Sequence, residues 1–423
     1  MKTAVIGAGI AGLGCAHALR NFHEVTLYEA APRLGGHTNT VDVELGGVSA
    51  PVDTGFIVYN ERTYPRLIEL FAELGVPTTA SDMGFAVSVA LEARRLEWAG
   101  SSLATVFAQK RNLISPAFLG MLRDLLRFNR EATAAATGQT PATGTLGEFL
   151  ARGGYGAAFR DWYLLPMAAA IWSCPTSTML GYPAATFARF CHNHGLLQVE
   201  HRPRWLTVRG GARQYVRRIA ARLNNIRLDD PVLSVRREGG QVRVTSRHGS
   251  ALYDQVVLAC HSDQAARLLV DADAAESAVL SAVHYQANRA VLHTDPRLLP
   301  VDRRLWSSWN YLSNGQAEPR VSVSYLMNKL QPLPFEEPVV VSLNPLNEAR
   351  EEHVLAEFDY EHPVFDAAAI AAQRALPEVQ GRRGVWFAGA WTGYGFHEDG
   401  LRSGLAVAAA LQSGADWPEA VAA

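Results

Sequence analysis

Apolar residues along this chain fall into short runs with different periods. Thr3-Ala4-Val5-Ile6 and Asp254-Gln255-Val256-Val257-Leu258-Ala259 are nearly continuous, which predicts strands buried on both faces. Glu24–Tyr28 predicts a further strand, and Val385-Trp386-Phe387-Ala388-Gly389-Ala390 another, followed by an apolar helix over 405–411. Pro231–Val235 and Gln241–Val244 alternate, as strands of a small meander do. Ala290–His293, Val321–Tyr325 and Val339–Leu343 predict an antiparallel sheet. From about 82 to 204 the pattern becomes mainly helical. Phe118, Leu119, Met121, Leu122, Leu125, Leu126 and Phe128 make a broad apolar face with Arg123, Arg127 and Arg130 beside it. A helix facing the core is the first reading of that stretch. A helix resting on a membrane surface, arginines toward anionic head groups, is the second.

Length narrows the architecture. The 423 residues exceed what one hydrophobic core usually supports, so two domains are expected. With 48% hydrophobic and 19% charged residues the composition is that of a globular protein, and a net charge of -2 argues against a general nucleic-acid binder. No run is long and apolar enough to span a bilayer. The apolar run after Met1-Lys2 is too short for a signal peptide, so a cytoplasmic location is expected. Cys15, Cys174, Cys191 and Cys260 form no C-x-x-C pair, which points to neither a zinc site nor a redox disulfide. Lysine occurs only at 2, 110 and 329.

Chemistry enters at residue 7. Gly7-Ala8-Gly9-Ile10-Ala11-Gly12 matches G-x-G-x-x-G directly after the first strand. Gly7 permits the tight turn, Gly9 lets a pyrophosphate approach the backbone, and Gly12 lets the following helix pack on the sheet. Small residues Ala11, Cys15, Ala16 and Ala18 suit that contact, and the helix N-terminus faces the phosphates. Glu29 closes the second strand, where an acid accepts hydrogen bonds from a ribose 2′-OH and repels a 2′-phosphate. The motif leaves NAD and FAD open.

The next segments carry a family resemblance. Glu29-Ala30-Ala31-Pro32-Arg33-Leu34-Gly35-Gly36-His37 resembles the R-x-G-G segment of the amine oxidase, protoporphyrinogen oxidase and phytoene desaturase superfamily, which approaches the flavin diphosphate and ribityl chain. Val52-Asp53-Thr54-Gly55-Phe56-Ile57 resembles the superfamily's loop along the isoalloxazine. Val208-Arg209-Gly210-Gly211 and the meander resemble the block that rejoins the nucleotide domain, where the position of Val232 meets adenine. Gly389 through Leu401 resembles the closing loop and helix, which touch the ribityl chain and pyrimidine edge. Ala390 stands where many members carry an acid. The resemblance implies FAD, bound without a covalent link because His37 lies in the phosphate-proximal segment. The implied cofactor-binding residues are Gly7, Gly9, Ile10, Ala11, Gly12, Glu29, Ala30, Arg33, Gly35, Gly36, His37, Thr54, Gly55, Phe56, Val232, Gly389, Trp391, Gly400 and Leu401.

The expected fold is α/β, a doubly wound FAD-binding domain of the glutathione-reductase type interleaved with an α+β substrate domain containing an antiparallel sheet. Residues 1–81, 205–264 and 381–423 are assigned to the first, 82–204 and 265–380 to the second. The runs 172–183, 189–198 and 306–314, with the flavin-lining loops, also resemble a narrower group of bacterial FAD proteins. These are often encoded beside cyclopropane-fatty-acid-synthase-like methyltransferases, and some are tied to oxidation of phospholipid acyl chains. The resemblance implies a fatty-acyl dehydrogenase or desaturase with an apolar or lipid substrate and peripheral membrane contact. An amine oxidase, a redox-neutral double-bond isomerase and a flavin-bearing partner of a lipid methyltransferase stay open, as does the oligomeric state.

Three residues are candidates for catalysis. His397 lies in the loop toward the pyrimidine edge, before a helix expected to start near Gly400 or Leu401. Lys329 follows a substrate-domain strand, where many superfamily members hold a water against flavin N5 with a lysine. Tyr394, with Trp391, is a candidate aromatic wall. His192 and His194, two apart, do not share a helix face, and no metal site is expected.

Overall fold

The computed structural model describes residues 1–198, 202–315 and 322–414. Five strands form a parallel sheet in the order Ile226–Arg227, Glu24–Tyr28, Lys2–Ile6, Gln255–Leu258, Val385–Phe387. Its register is level at one edge: Arg227 pairs with Tyr28, Tyr28 with Ile6, Ile6 with Leu258 and Leu258 with Phe387. The carboxyl ends of five strands therefore open onto one rim, the place where open α/β sheets bind ligands.

Successive side chains of these strands point to opposite faces. Ala4, Ile6, Val256, Leu258, Val385 and Phe387 face a core shared with Val235, Val242, Val244 and Tyr253 of the three-stranded meander. Val5, Leu27 and Val257 face the helices Ile10–Leu19 and His397–Ser413 through Leu13, Cys15 and Val407. Close crossing of those helices needs residues without side chains. A Cβ on Gly404 would stand 2.1 Å from the Ala11 carbonyl oxygen.

A second sheet has seven strands, in the order Val354–Val364, His284–His293, Val340–Leu343, Ser322–Leu326, Trp309–Ser313, Phe85–Leu91, Arg94–Ala99. Every neighbouring pair is antiparallel except Trp309–Ser313 with Phe85–Leu91. All three strand runs expected in the second half lie in it, although Val321 falls outside the described residues. Residues 85–99, expected within a mainly helical region, instead form a hairpin with Glu92-Ala93 as its turn. Helices follow, the longest being Pro116–Ala136. The closing helix starts at His397, three residues before the expected Gly400. Glu398 sits in its first turn, and its carboxylate accepts the Arg66 and Leu67 N–H groups at 2.8 and 3.0 Å, capping the helix Pro65–Leu74.

Candidate active site

A cavity of about 1390 Å³ runs from the rim of the parallel sheet, past the seven-stranded sheet, to the helix Pro116–Ala136. Single ligand pockets span roughly 300–1,000 Å³, so this one has room for more than one small molecule.

At the rim, Gly7 has φ +102° and the Ala259 carbonyl oxygen 2.6 Å from where a Cβ would stand, so only glycine makes this turn. Gly9 differs. Its φ of -71° suits any residue, and nothing lies within 4 Å of a Cβ placed there. Neither strain nor packing requires glycine at position 9; the space beside it belongs to the cavity. Gly36 closes the same wall, its Cβ position 3.2 Å from Gly9 Cα. Glu29 lies on this wall, oriented by N–H groups of Ala8 (2.8 Å) and Ala31 (2.9 Å) on its two carboxylate oxygens. Ile10, Ala11, Ala30, Gly35, His37, Thr54, Gly55, Phe56, Val232, Gly389 and Trp391 also line the cavity.

Four implied cofactor residues stand elsewhere. Gly12 lies under the turn, its Cβ position 1.9 Å from the Gly7 carbonyl oxygen, in the packing role expected of it. Arg33 is exposed and donates to the Thr38 carbonyl at 3.3 Å. Gly400 has its N–H bonded to the Phe396 carbonyl, because the helix began earlier than expected. Leu401 is buried against Gly14.

His397, the first residue of the closing helix, lines the cavity and is half-buried. Its Nε2 lies 2.8 Å from Tyr215 Oη, which in turn lies 2.5 Å from Thr38 Oγ1. Burial pulls its pKa down to about 3, and the positive end of a helix also disfavours an imidazolium. His397 is thus a neutral hydrogen-bonding group at ordinary pH. Tyr394 lies on the wall beside Phe190, ring centroids 5.6 Å apart. Lys329 does not reach the cavity. The strand ends at Leu326, the chain turns into the short helix Met327–Leu330, and Lys329 is exposed on it. The same strand presents Tyr325 to the cavity, with Trp309 next to it at 5.0 Å between rings. His194 is on the wall, stacked on Phe190 at 3.9 Å, and burial lowers it to about 4; His192 is not on the wall.

One group of residues escaped the sequence reading. Tyr360 and His362 on strand Val354–Val364 meet His37, with centroids 5.2 and 5.3 Å from its ring, and His261 stacks on Tyr285 at 4.2 Å. Burial holds His37, His261 and His362 below their ordinary pKa, with neighbouring histidines adding to the effect on His37 and His362. The signal was present: Phe358, Tyr360 and His362 alternate with Glu357, Asp359 and Glu361, as on a two-faced strand.

The part of the wall supplied by the hairpin and the helices after it, its apolar arm, includes Trp98, Val106, Phe107, Leu122, Leu125, Asn129, Tyr163, Met167 and Ile171. Among the described residues no group of three His, Cys, Asp or Glu can hold a metal ion. Cys260 is on the wall, and burial pushes its thiol up to about 12.

A dinucleotide turn, an acid at the end of the second strand and a second sheet beside the cavity make up a dinucleotide-binding fold with room for a substrate next to the cofactor. The family model described as flavin containing amine oxidoreductase matches residues 10–412, and the chain belongs to this family. Its cofactor is FAD, which the open space at Gly9 and the placement of Glu29 fit. A stretch of 127 residues is 34% identical to carotenoid phi-ring synthase of Chlorobaculum tepidum, covering 28% of this chain and 19% of that one. The chain thus spans about a fifth of that relative's length. Among solved structures, a putrescine oxidase redesigned for cofactor binding is similar with TM-score 0.71 at 17% identity, covering 98% of this chain and 99% of the other. The CLA-producing fatty acid isomerase from P. acnes is similar with TM-score 0.66 at 17% identity, covering 95% and 96%. These likenesses concern the fold.

Proposed function

We propose that this oxidoreductase acts on a lipid acyl chain, as a dehydrogenase or desaturase. The apolar arm carries the reading. Trp98, Val106, Phe107, Leu122, Leu125, Met167 and Ile171 offer an apolar wall in which Tyr163 and Asn129 are the polar members. An uncharged chain is gripped only by burial. At about 0.8 kcal/mol per CH₂, ten methylenes supply roughly 8 kcal/mol of gross affinity, enough to offset ordering costs.

Bound FAD supplies a hydride acceptor, flavin N5. The chain's own residues do the rest. The arm excludes water and directs a C–H bond toward the rim. His397, kept neutral and tied to Tyr215, offers a hydrogen bond without adding charge. A fatty acid isomerase and a putrescine oxidase share this fold alike, so the fold does not choose between acyl chain and amine, and a redox-neutral isomerase stays the neighbouring reading. An amine oxidase would draw on Trp391 and Tyr394 as its aromatic walls.

The test is anaerobic addition of unsaturated phospholipids and, separately, of primary amines and polyamines to the oxidised protein. Lasting bleaching of the flavin by lipid is expected. A transient change would mark isomerisation, and bleaching by amines alone would overturn the acyl reading.

A further inference from the structure

The helix Pro116–Ala136 has three faces with different surroundings. Met121, Phe128 and Ala132 are buried in the core. Leu122, Leu125 and Asn129 line the cavity arm. Leu119 and Leu126 share the third face with Arg123 and Arg130, all four exposed. A helix of a globular protein turns such leucines inward, and here the inward faces are already occupied.

The segment that leads into this helix exposes apolar side chains too. Ile114 is 83% exposed and Leu103 79% exposed, and Leu113, next to Ile114, is exposed as well. Five of the fourteen exposed large hydrophobic side chains among the described residues fall between Leu103 and Leu126. Scattered single leucines on a surface are ordinary; a cluster marks a contact site. Leu103 and Leu126 belong to both settings, exposed to solvent and lining the cavity, so the mouth of the arm opens within the cluster. Phe107 meets Phe118 at 6.0 Å and fastens this edge to the helix.

Charge selects the occupant. From Trp98 to Arg123 the sequence contains no Asp or Glu, while Lys110, Arg111 and Arg123 are exposed. Exposed leucines and isoleucine interspersed in the chain with exposed cations suit an anionic lipid surface, apolar groups entering the acyl layer and cations meeting head groups. A protein partner seated here would close the mouth; a lipid surface would feed it.

We infer that the face made by Leu103, Ile114, Leu119 and Leu126 with Lys110 and Arg123 docks on an anionic bilayer, so that a phospholipid chain passes into the arm without crossing water. The inference rests on the acyl reading of the cavity, and it is tested separately from it. The FAD-loaded protein is sedimented with phosphatidylcholine vesicles with and without phosphatidylglycerol. Binding is expected to the anionic vesicles and to weaken with salt. Lys110→Glu is expected to weaken it by more than about fivefold, the scale of one cation at an anionic surface. Ile114→Glu, which is off the cavity wall, is expected to weaken binding at least as much while retaining the flavin spectrum and turnover of a short, soluble acyl substrate. Equal binding by wild type and both variants, or no binding by wild type, overturns the docking face. So does sedimentation equilibrium showing a dimer that Ile114→Glu dissociates, since a second copy then covers it. Flavin reduction by micellar acyl substrate without vesicle binding defeats docking and leaves the acyl reading standing. Vesicle binding without any flavin reduction by lipid supports docking and removes the acyl reading.

Discussion

The imidazole of His397 lies face to face with the ring of Phe56, centroids 3.8 Å apart and planes 9° apart. The two residues come from opposite ends of the chain, and both line the cavity. Burial holds His397 neutral, and the bond to Tyr215 fixes its ring.

This neutrality has a pH signature. Folded His397, pulled down to about 3, binds fewer protons than the unfolded chain near the ordinary 6.5. Stability from this residue is therefore complete above pH 6.5 and lost progressively as pH falls toward 3. His397→Phe, which keeps a stacked ring, is expected to reduce the acid-side slope of unfolding free energy by at most one proton. Urea titrations from pH 7 to about pH 4 measure it. An identical slope in the variant would place the imidazole in water.

The open space beside Gly9 makes a sharp prediction. Gly9→Val meets no protein atom within 4 Å at its Cβ and should fold, yet its side chain enters the cofactor's path. The wild type is expected to purify yellow and release FAD on denaturation, the variant to be colourless with an unchanged far-UV circular dichroism spectrum. A yellow variant would move the pyrophosphate elsewhere.

Glu29→Ala is expected to weaken FAD binding by roughly 1.5–3 kcal/mol, the scale of a charge-assisted hydrogen bond. Titration of apoprotein with FAD reads it directly. The Ala8 and Ala31 N–H groups lose their acceptor in this variant, so Glu29→Gln is the companion that keeps the loop supported. An unchanged dissociation constant in both variants would show that Glu29 does not meet the ribose.

Filling the arm tests the substrate. Leu125→Trp is expected to leave FAD binding intact and to lower turnover of long acyl chains on the order of tenfold, because an added ring displaces about two methylenes, each worth about 0.8 kcal/mol. Short chains should suffer less. Equal loss for all lengths would mean that the chain does not occupy the arm.

What the sequence revealed were demands made locally on the backbone. The turn at Gly7, the acid after the second strand and the period of the buried strands each depend on neighbours a few residues away, and each stands where it was expected. Lys329 depends on where a strand stops. With the strand ended at Leu326, the alternation that would have aimed the lysine inward no longer applies. The early start of the closing helix was equally hidden, since Glu398 caps a different helix and Asp399 accepts the Phe396 N–H. The hairpin Phe85–Ala99 turns through Glu92-Ala93, without the glycine or asparagine that advertises such turns.

The parallel sheet has a consequence for the order of synthesis. Lys2–Ile6 pairs with Glu24–Tyr28 within the first thirty residues, but its other edge waits for Gln255–Leu258, and the sheet is complete only with Val385–Phe387. For most of translation the emerging chain carries an open strand edge beside the phosphate turn. Open edges recruit foreign strands, and late-closing sheets are exposed to aggregation. Cofactor capture can stabilise the fold only once the closing helix has emerged and seated His397. Chains stalled before that point should collect in the insoluble fraction however much flavin the cell supplies.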